Sequence, residues 1–173
     1  MKTPLRVHIC VVGYELDRIS QAAIDQKADK VVLITQKEND SGRDYFIENR
    51  RRIIDKGIEV QEEFVDDIRD LPHLLRIIKK VIDNEHKENS IFINISSGST
   101  LSAIAGTISS MMFEKERKII PYYVKPKAYK QDIDEETGLK PQTEGIEDIK
   151  KILTFQMQLP SKELMIVLKY LKE

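Results

Sequence analysis

The fold of this chain is decided by residues Ile91–Thr100, which read IFINISSGST. An apolar strand pattern over Ile91–Ile95 runs directly into small hydroxyl residues and a glycine, and a helical pattern begins at once. Such a turn places free backbone N–H groups at the positive end of a helix, which suits an anion such as phosphate. Ser and Thr are also preferred at helix N-caps for purely local reasons, so the turn alone leaves both interpretations open.

Strand and helix patterns alternate along the rest of the chain. Apolar runs predict strands at Val7–Val12, Val31–Ile34, Ile58–Val65, Ile91–Ile95 and Ile119–Val124. The third run is the most polar, which indicates a strand near an edge. This order predicts an α/β fold with a Rossmann-like, doubly wound, mainly parallel sheet of five or six strands, because parallel strands need helical crossovers.

Ligands of doubly wound sheets bind beyond the carboxyl ends of the strands, where the strand order reverses. The serine turn, Ser96–Thr100, follows the fourth predicted strand, and the first turn, Gly13–Arg18, follows the first strand. If these two strands are neighbours, the two turns share one crevice.

Helix patterns separate the predicted strands. The second helix is predicted over Asp44–Lys56, with Ile47 and Ile54 on its apolar side and Gly57 as its stop. Asp70 is the predicted N-cap of the third helix, and the proline two residues later fits its first turn.

The C-terminal third is less regular. Lys125–Thr143 is polar and predicts a long loop or a loose hairpin, and Leu153–Leu159 alternates with a strand period. We expect a Rossmann domain over residues 1–145, a linker or strand extension over 146–160, and an amphipathic helix over 161–173. That helix would pack on this domain, pack on a second copy, or begin a winged-helix domain.

Composition limits the function classes. The net charge of −1 gives no basic field for nucleic acid, and no apolar run has the length of a membrane span or signal peptide. We therefore expect a cytoplasmic protein that does not contact a membrane. Cys10 lies in an apolar run, which indicates a buried thiol, and the three histidines show no metal-ligand spacing, so no metal or cofactor is predicted.

Familiar catalytic motifs are absent from the sequence. The first turn has a single glycine instead of a dinucleotide fingerprint, and neither a P-loop nor a nucleophile elbow occurs. A serine hydrolase would need a histidine close to the serine turn in space, and His8, on the strand next to the expected crevice, is the candidate. Glu15 and Asp17 either complement a helix dipole or recognise a ribose hydroxyl or base N–H. Arg50–Arg52 is a solvated helix face or an aid to anion binding.

Three segments together resemble the CRISPR-associated Rossmann-fold (CARF) domain of archaeal regulators that carry a winged helix-turn-helix. They are His8–Arg18, Asn94–Thr100, and Pro141–Gly145 followed by Leu159–Ser161. The resemblance covers about residues 5–160. It implies a homodimer that binds a cyclic oligoadenylate across its two-fold axis in an antiviral transcription regulator, with DNA contacted only through the winged-helix domain.

The resemblance also implies a set of ligand contacts and no catalytic residue. The implied contacts are Gly13, Tyr14, Glu15 and Asp17 in the first turn and Ser96, Ser97, Gly98, Ser99 and Thr100 in the serine turn. Tyr14 would stack on adenine. Thr100 stands where the family has lysine, so one cation is missing. Two alternatives to the sensor therefore remain: a metal-independent ring nuclease, and a dimerisation module with a degenerate ligand site.

Overall fold

The computed structural model describes residues 3–37, 41–113, 117–129 and 132–155. Within these residues, six strands form one sheet and four helices cover it. In chain order the elements are β1 Arg6–Val11, α1 Ser20–Asp25, β2 Lys30–Gln36, α2 Arg43–Ile54, β3 Glu59–Val65, α3 Leu71–Asn84, β4 Ser90–Asn94, α4 Thr100–Phe113, β5 Ile119–Tyr129 and β6 Thr143–Lys151.

The strand order is β3-β2-β1-β4-β5-β6, with β1 to β5 parallel and β6 antiparallel to β5. This confirms the predicted doubly wound sheet. Ile9 at the centre of β1 lies between Val32 of β2 and Ile93 of β4. The strand order reverses between β1 and β4, so the turns that follow these two strands lie at the same edge of the sheet.

Alternate residues of β1 belong to different halves of the core. Val7 and Ile9 pack with the buried residues of α3 and with Ala105 of α4. Cys10 packs on the other face, with residues of α1 and α2. Burying each such aliphatic side chain is worth roughly 1.5–3 kcal/mol, so a strand covered on both faces forms the centre of the domain.

Several local predictions are confirmed. β3 is an edge strand, and the Asp70 carboxylate caps α3 by accepting the His73 N–H at 2.9 Å. The apolar side of α2 is a correction: Ile47 and Ile54 are 50% and 42% exposed. The buried face of α2 consists instead of Tyr45, Phe46, Asn49 and Ile53, because this is the face that packs on α1 and the sheet.

The hairpin interpretation of Lys125–Thr143 holds, and the strand expected at Leu153–Leu159 is wrong in its described part. β6 spans the predicted boundary at residue 145, because Ile146 and Ile149 pack beside β5. Leu153 and Phe155 belong to no strand and are 94% and 72% exposed. Residues 156–173, including the predicted helix, lie outside the described residues.

β5 and β6 continue beyond the end of β4 as a two-stranded arm. We define this arm as Tyr123–Tyr129 of β5 paired with Thr143–Lys150 of β6. β4 pairs with β5 only as far as Tyr122, opposite Asn94. The arm therefore rises from the carboxyl edge of the sheet, beside the serine turn.

His8 and Cys10 are structural residues of the core. Cys10 is fully buried, and burial raises the pKa of its thiol to about 12. His8 is also fully buried, stacks on Phe92 with ring centroids 4.8 Å apart, and places Nδ1 3.1 Å from the Tyr122 hydroxyl. Burial, with a smaller effect from Arg6, lowers the pKa of His8 to about 3. His8 is thus a neutral packing residue in the folded protein.

No helix in the described part of the chain has the length and apolar character needed to cross a membrane.

The depressed pKa of His8 predicts a pH dependence of folding stability. Between pH 6.5 and about 3 the unfolded chain binds a proton at His8 that the folded chain does not, so stability falls as the pH falls through this window. Between pH 6.5 and 4.5 we expect wild type to lose about 2 kcal/mol more than His8→Gln does. Urea unfolding at a series of pH values measures both proteins, and parallel pH curves would refute the assignment.

Candidate functional site

The first turn and the serine turn meet at two glycines. A Cβ on Gly13 would lie 2.9 Å from the Gly98 nitrogen, and a Cβ on Gly98 would lie 2.9 Å from both Ser102 Oγ and Val11 Cγ1. Gly98 also has φ +80°, a left-handed conformation that favours glycine. The two turns therefore approach as closely as backbones can, which confirms that they share one crevice.

Asn94 connects the same two turns through its side-chain amide. Its Nδ2 donates to the Arg18 carbonyl at 2.7 Å, and its Oδ1 accepts the Ser96 N–H at 2.8 Å. The side chain is 3% exposed. This role was not predicted from the sequence, although a polar residue at the end of the buried run IFIN is a signal that could have revealed it.

The three serine hydroxyls of the serine turn are used within the protein. Ser97 Oγ donates to the Val11 carbonyl at 2.8 Å, and Ser96 Oγ accepts the Val124 N–H at 2.5 Å. Ser99 and Ser102 cap α4 reciprocally, each accepting the other's N–H at 3.1 Å. The local capping interpretation is therefore correct for Ser99, and Ser97 is 4% exposed.

Backbone amides at the start of α4 remain as donors. Among the hydrogen bonds of the described residues, none uses the N–H of Gly98, Thr100 or Leu101. Gly98 and Thr100 are exposed, and α4 is 14 residues long. These N–H groups lie at the positive end of the helix dipole, so the serine turn can bind an anion through its backbone.

Glu15 of the first turn points into the protein. It is 3% exposed, its Oε1 lies 3.1 Å from Arg18 Nη1, and its Oε2 accepts the Thr143 hydroxyl at 2.5 Å. Burial raises the pKa of Glu15, while the bond from Thr143 and the charge of Arg18 act in the opposite direction. This placement favours the structural interpretation of Glu15 over the implied ligand contact.

Asp17 also holds the fold together. Its Oδ1 lies 3.2 Å from Arg52 Nη1, and its Oδ2 accepts the Gly145 N–H of the arm at 2.7 Å. The neighbouring Arg18 donates from Nε to the Val124 carbonyl at 3.0 Å. The first turn is thus hydrogen-bonded to the arm. Asp17, like Glu15, stabilises the residues that form the crevice.

The basic run on α2 is ion-paired. Arg50 binds Glu62, Arg51 binds Glu48, and Arg52 binds both Glu48 and Asp17. These pairs favour the interpretation of the run as a solvated helix face.

Tyr14 is the exposed side chain of the first turn. It is 40% exposed, its ring meets the edge of Tyr45 with centroids 5.4 Å apart, and its hydroxyl contacts Ser41. One face of a ring held in this way can stack on a base.

Asn49 is a second supporting residue that the sequence analysis missed. It is fully buried, and its Nδ2 donates to the Glu15 carbonyl at 2.7 Å and the Tyr45 carbonyl at 2.9 Å. Its Oδ1 accepts the Ser20 N–H at 3.1 Å. Asn49 therefore joins the first turn to α1 and α2.

Within the described residues, no group of histidine, cysteine, aspartate or glutamate side chains could hold a metal ion. The donors of the crevice are backbone amides, an exposed threonine and an exposed tyrosine, which suit a polar organic anion with an aromatic group.

Fold and crevice together define a Rossmann-like α/β domain with a candidate ligand site at the switch point of its sheet. The chain belongs to the family described as "HFX_2341_N:-like, N-terminal", whose model matches residues 6–129. It is also 37% identical, over 95% of its length, to the uncharacterized protein MJ1513 of Methanocaldococcus jannaschii. The chain spans about 55% of that relative's length.

Two solved structures share the fold at low sequence identity. Csm6 of Enterococcus italicus, bound to cyclic hexa-2'-fluoro-hexa-dAMP, matches with a TM-score of 0.63 and 11% identity over 87% of this chain and 43% of its own. Can2 of Sulfobacillus thermosulfidooxidans, in complex with cyclic tetra-adenylate, matches with a TM-score of 0.58 and 15% identity over 72% of this chain and 33% of its own. These matches show that the Rossmann-like fold is shared.

The inward orientation of Glu15 predicts a large effect on stability. Glu15→Ala leaves Arg18 charged, buried and unpaired, so we expect the free energy of unfolding to fall by about 3 kcal/mol. Glu147→Ala is the matched control, because Glu147 pairs with Lys125 at a site where both side chains are about half exposed. We expect its cost to stay below about 1 kcal/mol. Urea unfolding at pH 7 compares them, and equal costs would contradict a supporting role for Glu15.

Proposed function

We propose that this chain is the ligand-sensing domain of a homodimer and that its ligand is a cyclic oligoadenylate. The observation that carries the proposal is the meeting of Gly13 and Gly98 at the switch point, with free amides at the start of α4 beside them. Amides at a helix N-terminus bind phosphate without a cation, which offsets the threonine at position 100. Tyr14 supplies an aromatic surface for adenine.

The fold neighbours support the ligand class. The Can2 structure holds cyclic tetra-adenylate, and the Csm6 structure holds a fluorinated cyclic hexa-adenylate analogue. A ring with repeated phosphates suits a two-fold dimer, because each subunit presents the same amides to it.

The surface of α4 supports the dimer. All 14 residues of α4 are uncharged, and Leu101, Ile104, Ile108 and Met111 recur at the spacing of one helix face. The opposite residues, including Ala105 and Ser109, are buried on the domain, whereas Ile104 remains 40% exposed. An uncharged helix with an exposed apolar stripe is typical of an interaction surface. We propose that two copies meet through this stripe, which begins at the serine turn.

The proposed output is a change in dimer geometry. A ring that binds one arrangement of the two subunits more tightly than another shifts the population toward it. In a transcription regulator, this shift would alter the spacing of attached winged-helix domains and so their fit to DNA. The chain spans about half of its relative MJ1513, which leaves room for such a domain elsewhere in a longer protein.

Calorimetry against cyclic tri-, tetra- and hexa-adenylate tests the ligand. We expect one ring per dimer for at least one of these rings and a binding affinity at least tenfold weaker for Thr100→Asp, since a carboxylate at the α4 N-terminus repels phosphate while it favours the helix. The matched control is Thr3→Asp, at an exposed residue near the amino ends of the strands. No heat with any ring in wild type would refute the sensor, and linear products after incubation would show the nuclease instead.

The dimer is tested by light scattering after size exclusion. We expect wild type to elute as a dimer and Ile104→Asp as a monomer, because a carboxylate in an apolar interface loses its hydration without gaining a partner. Ile47→Asp on α2 is the control, since Ile47 is 50% exposed and lies away from α4. If the Ile104→Asp variant is still a dimer, the dimer interface does not lie at this stripe of α4.

A further inference from the structure

We propose that one face of the arm is a nucleotide-binding surface that completes the crevice. The surface, which we call the arm stripe, consists of Tyr123, Lys125, Lys127 and Tyr129 of β5. It would stack adenine bases and supply the cations that the serine turn lacks. This inference rests on the proposed function, since it names further residues that would contact the same ligand.

The arm stripe starts directly beside the serine turn. Val124 donates its N–H to Ser96 Oγ at 2.5 Å, and Ile95 donates its N–H to the Tyr122 carbonyl at 3.0 Å. From Val124 the strand continues for five residues to Tyr129, a rise of about 16 Å beyond the serine turn. A ligand bound at the amides of α4 would therefore have the arm along one side.

Strand alternation places the start of the arm stripe on the α4 side of the sheet. Tyr122 and Val124 pack with Ala22 of α1, whereas Ile119 packs in the core that contains Ala105 of α4. The residues of the arm stripe share the parity of Ile119. Tyr123 and Lys125 thus face the side of the sheet on which α4 begins, and Lys127 and Tyr129 lie beyond a shift in the pairing with β6 between Lys125 and Pro126.

Three of the four side chains, those of Lys125, Lys127 and Tyr129, are exposed. Tyr129 is 78% exposed, Lys127 is exposed, and Tyr123 is half-buried with the Arg18 guanidinium 5.2 Å from its ring centroid. Lys125 pairs with Glu147 at 2.8 Å, and both side chains are about half exposed. An exposed pair of this kind is worth little, so Lys125 can exchange Glu147 for a phosphate.

The cross-strand residues leave room for a ligand beside Lys127. The nearest backbone across the ladder is that of Gly145, where a Cβ would lie 3.0 Å from Lys127 Cδ, so the lysine stem crosses a residue without a side chain. Asp148 lies opposite Lys125 across the ladder, and its Oδ2 pairs with Lys150 Nζ at 3.9 Å. Aromatic side chains interleaved with cations are the pattern that binds single-stranded nucleotides through stacking and phosphate contacts.

Substitution of the arm stripe in the full chain tests the inference. The probe is whichever of the cyclic tri-, tetra- and hexa-adenylate rings wild type binds most tightly. We expect Lys127→Glu to weaken its binding at least tenfold and to reduce the salt dependence of the affinity by the amount that corresponds to about one phosphate contact. Tyr129→Ala should weaken binding at least fivefold. Tyr129→Phe should bind with the affinity of wild type, because stacking needs the ring and not the hydroxyl. Lys87→Glu is the matched control, at an exposed residue near the amino end of β4. Calorimetry at two salt concentrations measures each affinity.

The outcomes separate this inference from the proposed function. If wild type binds the ring and Lys127→Glu and Tyr129→Ala bind it equally well, the arm stripe is overturned and the sensor stands. If wild type binds none of the three rings, both are overturned. Losses confined to the two arm variants, with Tyr129→Phe and Lys87→Glu unchanged, establish the arm stripe.

Discussion

The crevice depends on the contact between Gly13 and Gly98 and on the Asn94 amide, which bonds the backbone of Arg18 and Ser96 in the same two turns. A Cβ at either glycine would meet another residue at 2.9 Å. Asn94 bonds to the backbone of both turns and is buried, so its loss would leave two polar groups unsatisfied at the edge of the core. The α4 amides keep their position because the backbone that carries them is held at this point.

The acids of the first turn extend that constraint to the arm. Glu15 accepts the Thr143 hydroxyl, and Asp17 accepts the Gly145 N–H. The same turn also reaches β5 through Arg18 and the Val124 carbonyl. The first turn, the serine turn and the arm are therefore one bonded unit, in which the acidic side chains of the first turn are used in contacts within the protein.

The sequence alone was enough to predict the sheet correctly. It was not enough to predict how the side chains of Glu15 and Asp17 are oriented. Apolar runs such as Val7–Val12 fixed the strands, and the crossover rule for parallel sheets predicted the crevice at the first turn and the serine turn. Glu15 and Asp17 could not be oriented from the sequence, because their partners in β6 lie 128 residues away. The strand expected at Leu153–Leu159 is wrong in its described part for a related reason: Ile146 and Ile149 pack beside β5, so the last strand of the described residues forms earlier.

The outer strand β6 has a consequence for how copies of this protein can meet. Its sequence, TEGIEDIKK, places acidic and basic side chains along the open edge of the sheet. Charged residues on an edge strand discourage a second chain from adding to the ladder, because their charges would be brought together and lose water. Continuous sheets running from one molecule into the next are thereby disfavoured, which protects against fibrous aggregation and reserves self-association for surfaces outside the backbone ladder.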